Sequence, residues 1–152
     1  MNIWIDCSGS KGIGQSIHAS ADRITDQVRM QMLSRGTRAV NELRNAELDV
    51  LRGQRGGKTY RKYPNRSTYS ASAPGEPPAV RTGNLRMHWS GSVEGGAAAG
   101  GGVSMTAVLE SQEHYAGYLE HGTVKMAARP YCERIKEKAM PKILEIFSAP
   151  YV

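Results

Sequence analysis

The chain predicts an α+β domain, on three observations. Apolar residues recur at three- and four-residue spacing from about Ser20 to Leu51, two short segments alternate apolar and polar residues across a glycine-rich centre, and a second helical stripe follows Pro130. A long N-terminal helix and a kinked C-terminal helix are expected to pack on a small, mostly antiparallel sheet from which the glycine-rich hairpin protrudes. At 152 residues one core is the default, and with 39% hydrophobic residues and a single Phe that core is modest.

In chain order, residues 1–19 read as a flexible arm: an apolar start at Ile3, Trp4 and Ile5, then CSGSKGIGQS. This glycine-rich stretch has GQS where a phosphate loop needs GK[ST], and it lacks the third glycine of a dinucleotide fingerprint. Residues 20–152 make the domain. Ile24, Val28, Met32, Ala39, Val40, Leu43 and Leu51 form the stripe of the long helix, and Gly36 in its middle marks a bend or a close contact.

Residues 52–80 read as an extended basic loop. Arg52, Arg55, Lys58, Arg61, Lys62 and Arg66 follow one another with no acidic residue between Asp49 and Glu76, and Tyr60, Tyr63 and Tyr69 are interleaved. Cations with aromatics suit a phosphate backbone and stacked bases, or docking on an acidic protein face.

Strands are expected from Leu85 to Val93 and from Val103 to Leu109, where the odd positions are apolar, joined by EGGAAAGGG, which is too long and too glycine-rich for a tight turn. Tyr115–Glu120 is expected as a third short strand. After Pro130 the residues Tyr131, Ile135, Ala139, Ile143 and Phe147 follow at four-residue spacing, and Pro141 predicts a kink or break near Ala139 or Met140.

The net charge of +6 favours an acidic partner, and the widely separated Cys7 and Cys132 suit free thiols in a reducing cytoplasm. No apolar run approaches the roughly 20 residues of a membrane span, and MNIWIDCSGSKG has no signal-peptide pattern, so no membrane role is expected. Glu120, His121, His114 and Cys132 are types that perform acid–base or metal chemistry. Their spacing matches no zinc motif, however, and no nucleophile signature accompanies them. No enzyme activity, metal or cofactor is therefore expected.

The stretch SASAPGEPPAVRTGNLR, a strand pair, and then YAGYLEHGTVKMAARPYCERI resemble the small head-tail joining, or tail-completion, proteins of long-tailed double-stranded DNA phages and prophages. The matching positions are Thr82, Gly83, Leu85 and Arg86, followed by Tyr115, Glu120, Gly122, Thr123, Met126, Ala128 and Pro130. Pro141 and the arm from Met1 to Gln15 depart from that pattern.

The resemblance implies a non-enzymatic virion protein that assembles in the host cytoplasm into a ring, such as a hexamer, at the neck between head and tail. It would contact adjacent neck and tail proteins and packaged DNA. It also implies that Arg81, Thr82, Gly83, Leu85, Arg86, Tyr115, Glu120, Gly122, Thr123, Arg129 and Pro130 serve subunit or partner contacts, with Glu120 holding one of the arginines Arg81, Arg86 or Arg129, within the subunit or across an interface. A DNA-binding module using residues 52–69 is the alternative, and a hydrolase using Glu120 and His121 a third reading.

Overall fold

A computed structural model describes residues 10–64, 67–97 and 103–151. Helix α1 runs from Ser10 to Arg52, and α4 from Cys132 to Ser148 packs against its C-terminal half. Between them lie strands β1 (Thr59–Arg61) and β2 (Thr68–Ser70), a single helical turn α2 (Asn84–Met87), strands β3 (Trp89–Ala97) and β4 (Val103–Ser111), and a short helix α3 (Ala116–His121). The fold is α+β, with two antiparallel two-stranded sheets, β1–β2 and β3–β4.

The apolar stripe of α1 closes the core. Ala46 and Leu51 meet Tyr131, Ile135 and Ala139 of the α4 side, and Leu43, Val50, Leu85, Trp89, Leu119 and Ile143 pack around them. Tyr131 is only 1% exposed; its ring meets Trp89 edge-on at 6.2 Å and its hydroxyl donates to the Ala116 carbonyl at 3.0 Å. The β3–β4 hairpin lies on α1, with Trp89 paired to Ser111 and Ala97 to Val103. Two glycines set that approach: a Cβ at Gly36 would stand 2.8 Å from Val93, and one at Gly91 would overlap Val40. Gly36 therefore marks a close contact, and the helix continues through it.

Several expectations are corrected. Helix α1 begins at Ser10, so much of the expected arm is helical, and residues 1–9 fall outside the described residues. The basic loop is a small hairpin, with Tyr60 opposite Tyr69, whose rings stack at 5.7 Å. Leu85 and Met87 lie in α2 and not in a strand. Gly83, at φ 91°, opens a turn whose carbonyl accepts from the Arg86 and Met87 N–H groups, which buries Leu85 in part and turns Met87 outward.

Tyr115–Glu120 forms most of a helix and its entry, not a strand; six residues hold too few repeats to separate a period of 2 from 3.6, and Ala116 and Leu119 are the inward pair. Helix α4 runs unbroken through Pro141, since the carbonyl of exposed Glu137, which loses its donor, is on the solvent side. Near the end of α4 the buried residue is Ile146, with Phe147 36% exposed. Strict four-residue spacing drifts about 40° per step around a helix, so the inward face leaves that register. The centre of EGGAAAGGG, residues 98–102, is outside the described residues.

Candidate functional site

The TGNLR motif, the basic hairpin and the α3 region converge on one groove of about 590 Å³. Arg81, Thr82, Gly83, Leu85, Arg86, Tyr115 and Arg129 all line it, so seven of the eleven residues assigned to contacts by resemblance come together. Leu51, Pro78 and Leu119 add apolar floor, and Tyr60 and Tyr69 close one side. Sequence reading missed those two tyrosines as neighbours of TGNLR, because only the tertiary fold lays the hairpin beside it.

Three guanidinium groups serve this groove. Among the described residues, the side chains of Arg81 and Arg129 have no hydrogen-bonding or ion-pair partner, and Arg86 acts on the buried Glu47 through its field alone. The ordinary expectation for a cluster of like charges is mutual repulsion, and an incoming carboxylate or phosphate relieves it.

Glu120 stands behind the groove and does not hold an arginine within the subunit. Its Oε2 accepts from the N–H groups of Tyr131 at 2.9 Å and Cys132 at 3.2 Å. Tyr131, the residue preceding α4, supplies no side-chain cap, so Glu120 reaches from α3 to satisfy helix donors that would otherwise lack acceptors. Gly122 makes this reach feasible: at φ 78° a Cβ would stand 2.7 Å from the Ala128 N. Thr123 and Met126 then exchange backbone bonds, and the Arg129 N–H returns to the Leu119 carbonyl at 2.8 Å. Pro130, half-buried, leads into α4.

Glu120 thus ties α3 to the start of α4. His121 is exposed, at the end of α3. Partial burial, then the neighbouring Glu120, pushes the Cys132 thiol up to about 11, so it stays protonated and poorly nucleophilic at neutral pH. Burial likewise pushes the Tyr131 hydroxyl up. Among the described residues no cluster of three or more His, Cys, Asp or Glu is placed to hold a metal ion, and no helix is long and apolar enough to cross a membrane.

The basic hairpin divides into two sets. Arg55 is used internally, donating to the Pro78 carbonyl at 3.1 and 3.2 Å and to the Val50 carbonyl at 2.8 Å. Lys62 donates to the Arg81 carbonyl at 2.9 Å and lies over the Tyr69 ring. Arg52, Lys58 and Arg61 are exposed, and Arg66 lies outside the described residues. Glu76 folds back to accept from the Gly56 and Ala73 N–H groups, and those bonds hold its carboxyl below the usual range.

Glu47 was not singled out in the sequence. Its side chain is fully buried, Arg44 donates to its Oε2 at 2.6 Å, and Oε1 has no partner. Desolvation pushes its carboxyl up to about 7 against the pull of Arg44 and Arg86. The signal was present: Glu47 sits four residues after Leu43 and four before Leu51, a polar residue on the inward stripe. Comparison with known proteins gave no match to a family model, a curated protein or a solved structure.

Proposed function

We propose that the protein is a structural component of the phage neck, assembling as a ring that joins the DNA-filled head to the tail. The observation that carries this reading is the N-terminal half of α1. From residue 14 to residue 34 the helix extends about 30 Å without a single buried residue, although Ile17, Ile24 and Met30 remain 55–69% exposed. Apolar residues along an uncovered helix suit a surface that another chain covers.

The groove of TGNLR and the Glu120 joint supply a second contact region on the opposite end of the same helix. Two separated contact regions on one subunit suit head-to-tail association, which closes into a ring when the rotation allows. The exposed Arg52, Lys58 and Arg61 give this ring a basic feature suited to DNA. The test is the mass of the full chain in solution, alone and with head and tail particles that lack it. A ring that restores joined particles is expected, and Ile17→Asp with Ile24→Asp should remove it while the far-ultraviolet helix signal persists. A chain that stays monomeric and restores nothing overturns the reading.

The DNA-binding alternative has one observation in its favour, the exposed cations of the β1–β2 hairpin around the 98%-exposed Tyr63. A monomer that binds duplex DNA with an affinity falling steeply with salt, and that loses this with Lys58→Glu and Arg61→Glu, would replace the neck reading.

A further inference from the structure

The groove beside TGNLR carries positive charge and has no acid of its own. Its lining includes Arg81, Arg86 and Arg129 and no aspartate or glutamate. The carboxylates of the surrounding elements are engaged elsewhere: Glu47 with Arg44, Glu76 with the Gly56 and Ala73 N–H groups, Glu113 with His88, and Glu120 with the Tyr131 and Cys132 N–H groups. Among the described residues this leaves the side chains of Arg81 and Arg129 without a counter-charge. A planar guanidinium pairs best with a carboxylate or a phosphate.

The rest of the groove decides between those two. Pro78, Val80, Leu85 and Leu119 give it an aliphatic surface, on which Val80 is 40% exposed, and the stacked Tyr60 and Tyr69 stand at its side. Lys62 fixes that side by donating to the Arg81 carbonyl. A concavity of about 590 Å³ fits a few side chains, and apolar surface next to tyrosine and arginine is the usual composition of a protein-recognition centre. A DNA duplex is convex, and its phosphates would leave the apolar surface uncovered; the exposed Arg52, Lys58 and Arg61, none of which lines the groove, suit that partner better. A second copy is a poorer match as well. The chain has a net charge of +6, and along the exposed stretch of α1 Asp22 and Asp26 are balanced by Arg23 and Arg29.

We propose that the groove receives a short acidic segment of a different protein, with leucine- or tryptophan-sized side chains on the aliphatic surface and flanking carboxylates on Arg81 and Arg129. This rests on the reading of the groove as a contact region and names the chemistry of what it contacts; it does not depend on whether the subunits close into a ring.

The experiment follows the fluorescence anisotropy of a dye-labelled octapeptide that alternates glutamate with leucine around one tryptophan, titrated with the full chain. The comparison probes are the same peptide with glutamine for glutamate, the same peptide with serine for its apolar residues, and single-stranded and duplex oligonucleotides. Saturable binding of the first peptide is expected, at least about tenfold tighter than that of the other probes. Arg81→Glu with Arg129→Glu should weaken it at least about tenfold, and so should Val80→Asp, which tests the apolar surface if the arginine pair does not fold. Lys125→Glu with Lys136→Glu, at exposed positions outside the groove, changes the net charge equally and should have little effect; an equal loss there overturns the proposal. Equal binding of the glutamine peptide, or tighter binding of an oligonucleotide that is lost with the arginine pair, also overturns it. Titrating the Ile17→Asp, Ile24→Asp variant beside the parent chain, with light scattering on both, separates the proposal from the ring. Binding by a parent chain that stays monomeric keeps the partner and counts against the ring. No binding by either chain overturns the partner and leaves the ring to be judged by mass. Binding by the unassembled variant alone gives the groove to a second copy and overturns the foreign partner.

Discussion

The two halves of α1 share one helix and one apolar spacing but have opposite environments. From Arg35 to Arg52 the inward stripe includes the buried residues Ala39, Ala46 and Leu51, covered by α4 and the β3–β4 hairpin. From residue 14 to residue 34 no residue is buried, and only Gly14, Val28 and Met32 are half-buried. The boundary is marked by Arg35, which donates to the Ala149 and Pro150 carbonyls, both at 2.6 Å, with Tyr151 packed 3.8 Å over its guanidinium. The difference teaches that hydrophobic spacing reports what a helix can bury, whereas the length of the covering elements decides how much it does bury. Here α4 ends at Ser148, and the last buried residues of α1 on that side are Arg35 and Gly36.

Substitutions across that boundary separate stability from assembly. In the covered half, Leu51→Ala should lower the unfolding free energy by about 2–5 kcal/mol, because it removes packed methyl groups and leaves a cavity. Urea unfolding of the purified chain measures this, and a loss below about 1 kcal/mol would mean that the covered half is not the core.

Glu47 should make the covered half pH-sensitive. Its folded value of about 7 lies above the ordinary 4.5, so the folded state favours the neutral acid. Its contribution is therefore fully present below about pH 4.5, declines as pH rises through 7, and is flat above. At about 1.4 kcal/mol per unit the fall is on the order of 3 kcal/mol. Asp49 and Glu76, whose carboxyls are held low by Lys138 and by backbone donors, act in the opposite sense only at lower pH. The pH profile of unfolding in Glu47→Gln should be flatter between 5 and 8 than that of the parent chain.

At the boundary itself, Arg35→Ala should cost about 2–3 kcal/mol through loss of two charge-assisted bonds and a cation–π contact. It should also raise hydrogen exchange in the last turn of α4, which the Ala149–Tyr151 segment follows. Away from the boundary, Glu120→Gln keeps one acceptor for the α4 donors and loses only the charge at the helix start, which is worth about 0.5–1 kcal/mol. His121→Ala should leave stability unchanged, so equal effects of the two would argue for a shared chemical role.

The smallest effect on folding belongs to the exposed half. Ile24→Ala should change monomer stability by less than about 0.5 kcal/mol, yet weaken assembly measurably by sedimentation. A large folding cost there would erase the contrast between the halves.

Much of the architecture was legible beforehand. The spacing of Ile24 to Leu51 and of Tyr131 to Ile143, the alternation at 103–109 and the start of α4 after Pro130 are local patterns, and each corresponds to an element in the fold. Less legible were the short pieces. Tyr115–Glu120 and TGNLR are too brief for their periodicity to discriminate, and the hairpin at 59–70 is held partly by Lys62 and Arg55 reaching carbonyls 19 and 23 residues away. The groove residues were named by resemblance, but their convergence was not readable from spacing.

The sequence by itself determined the two helices and most of the strand pair, and it marked Gly36 as a bend or a close contact, because backbone propensity and the missing Cβ act over a few residues. Only the tertiary structure decided that Glu120 caps α4 and holds no arginine within the subunit, that Glu47 is buried with one oxygen unpartnered, and that residues 14–34 of α1 hold no buried residue. These outcomes depend on which distant groups the fold brings within hydrogen-bond reach and on where a covering element stops. For Glu120 the Tyr131 and Cys132 N–H groups, brought to about 3 Å by the Gly122 turn, fill the role that its sequence neighbourhood left open to an arginine.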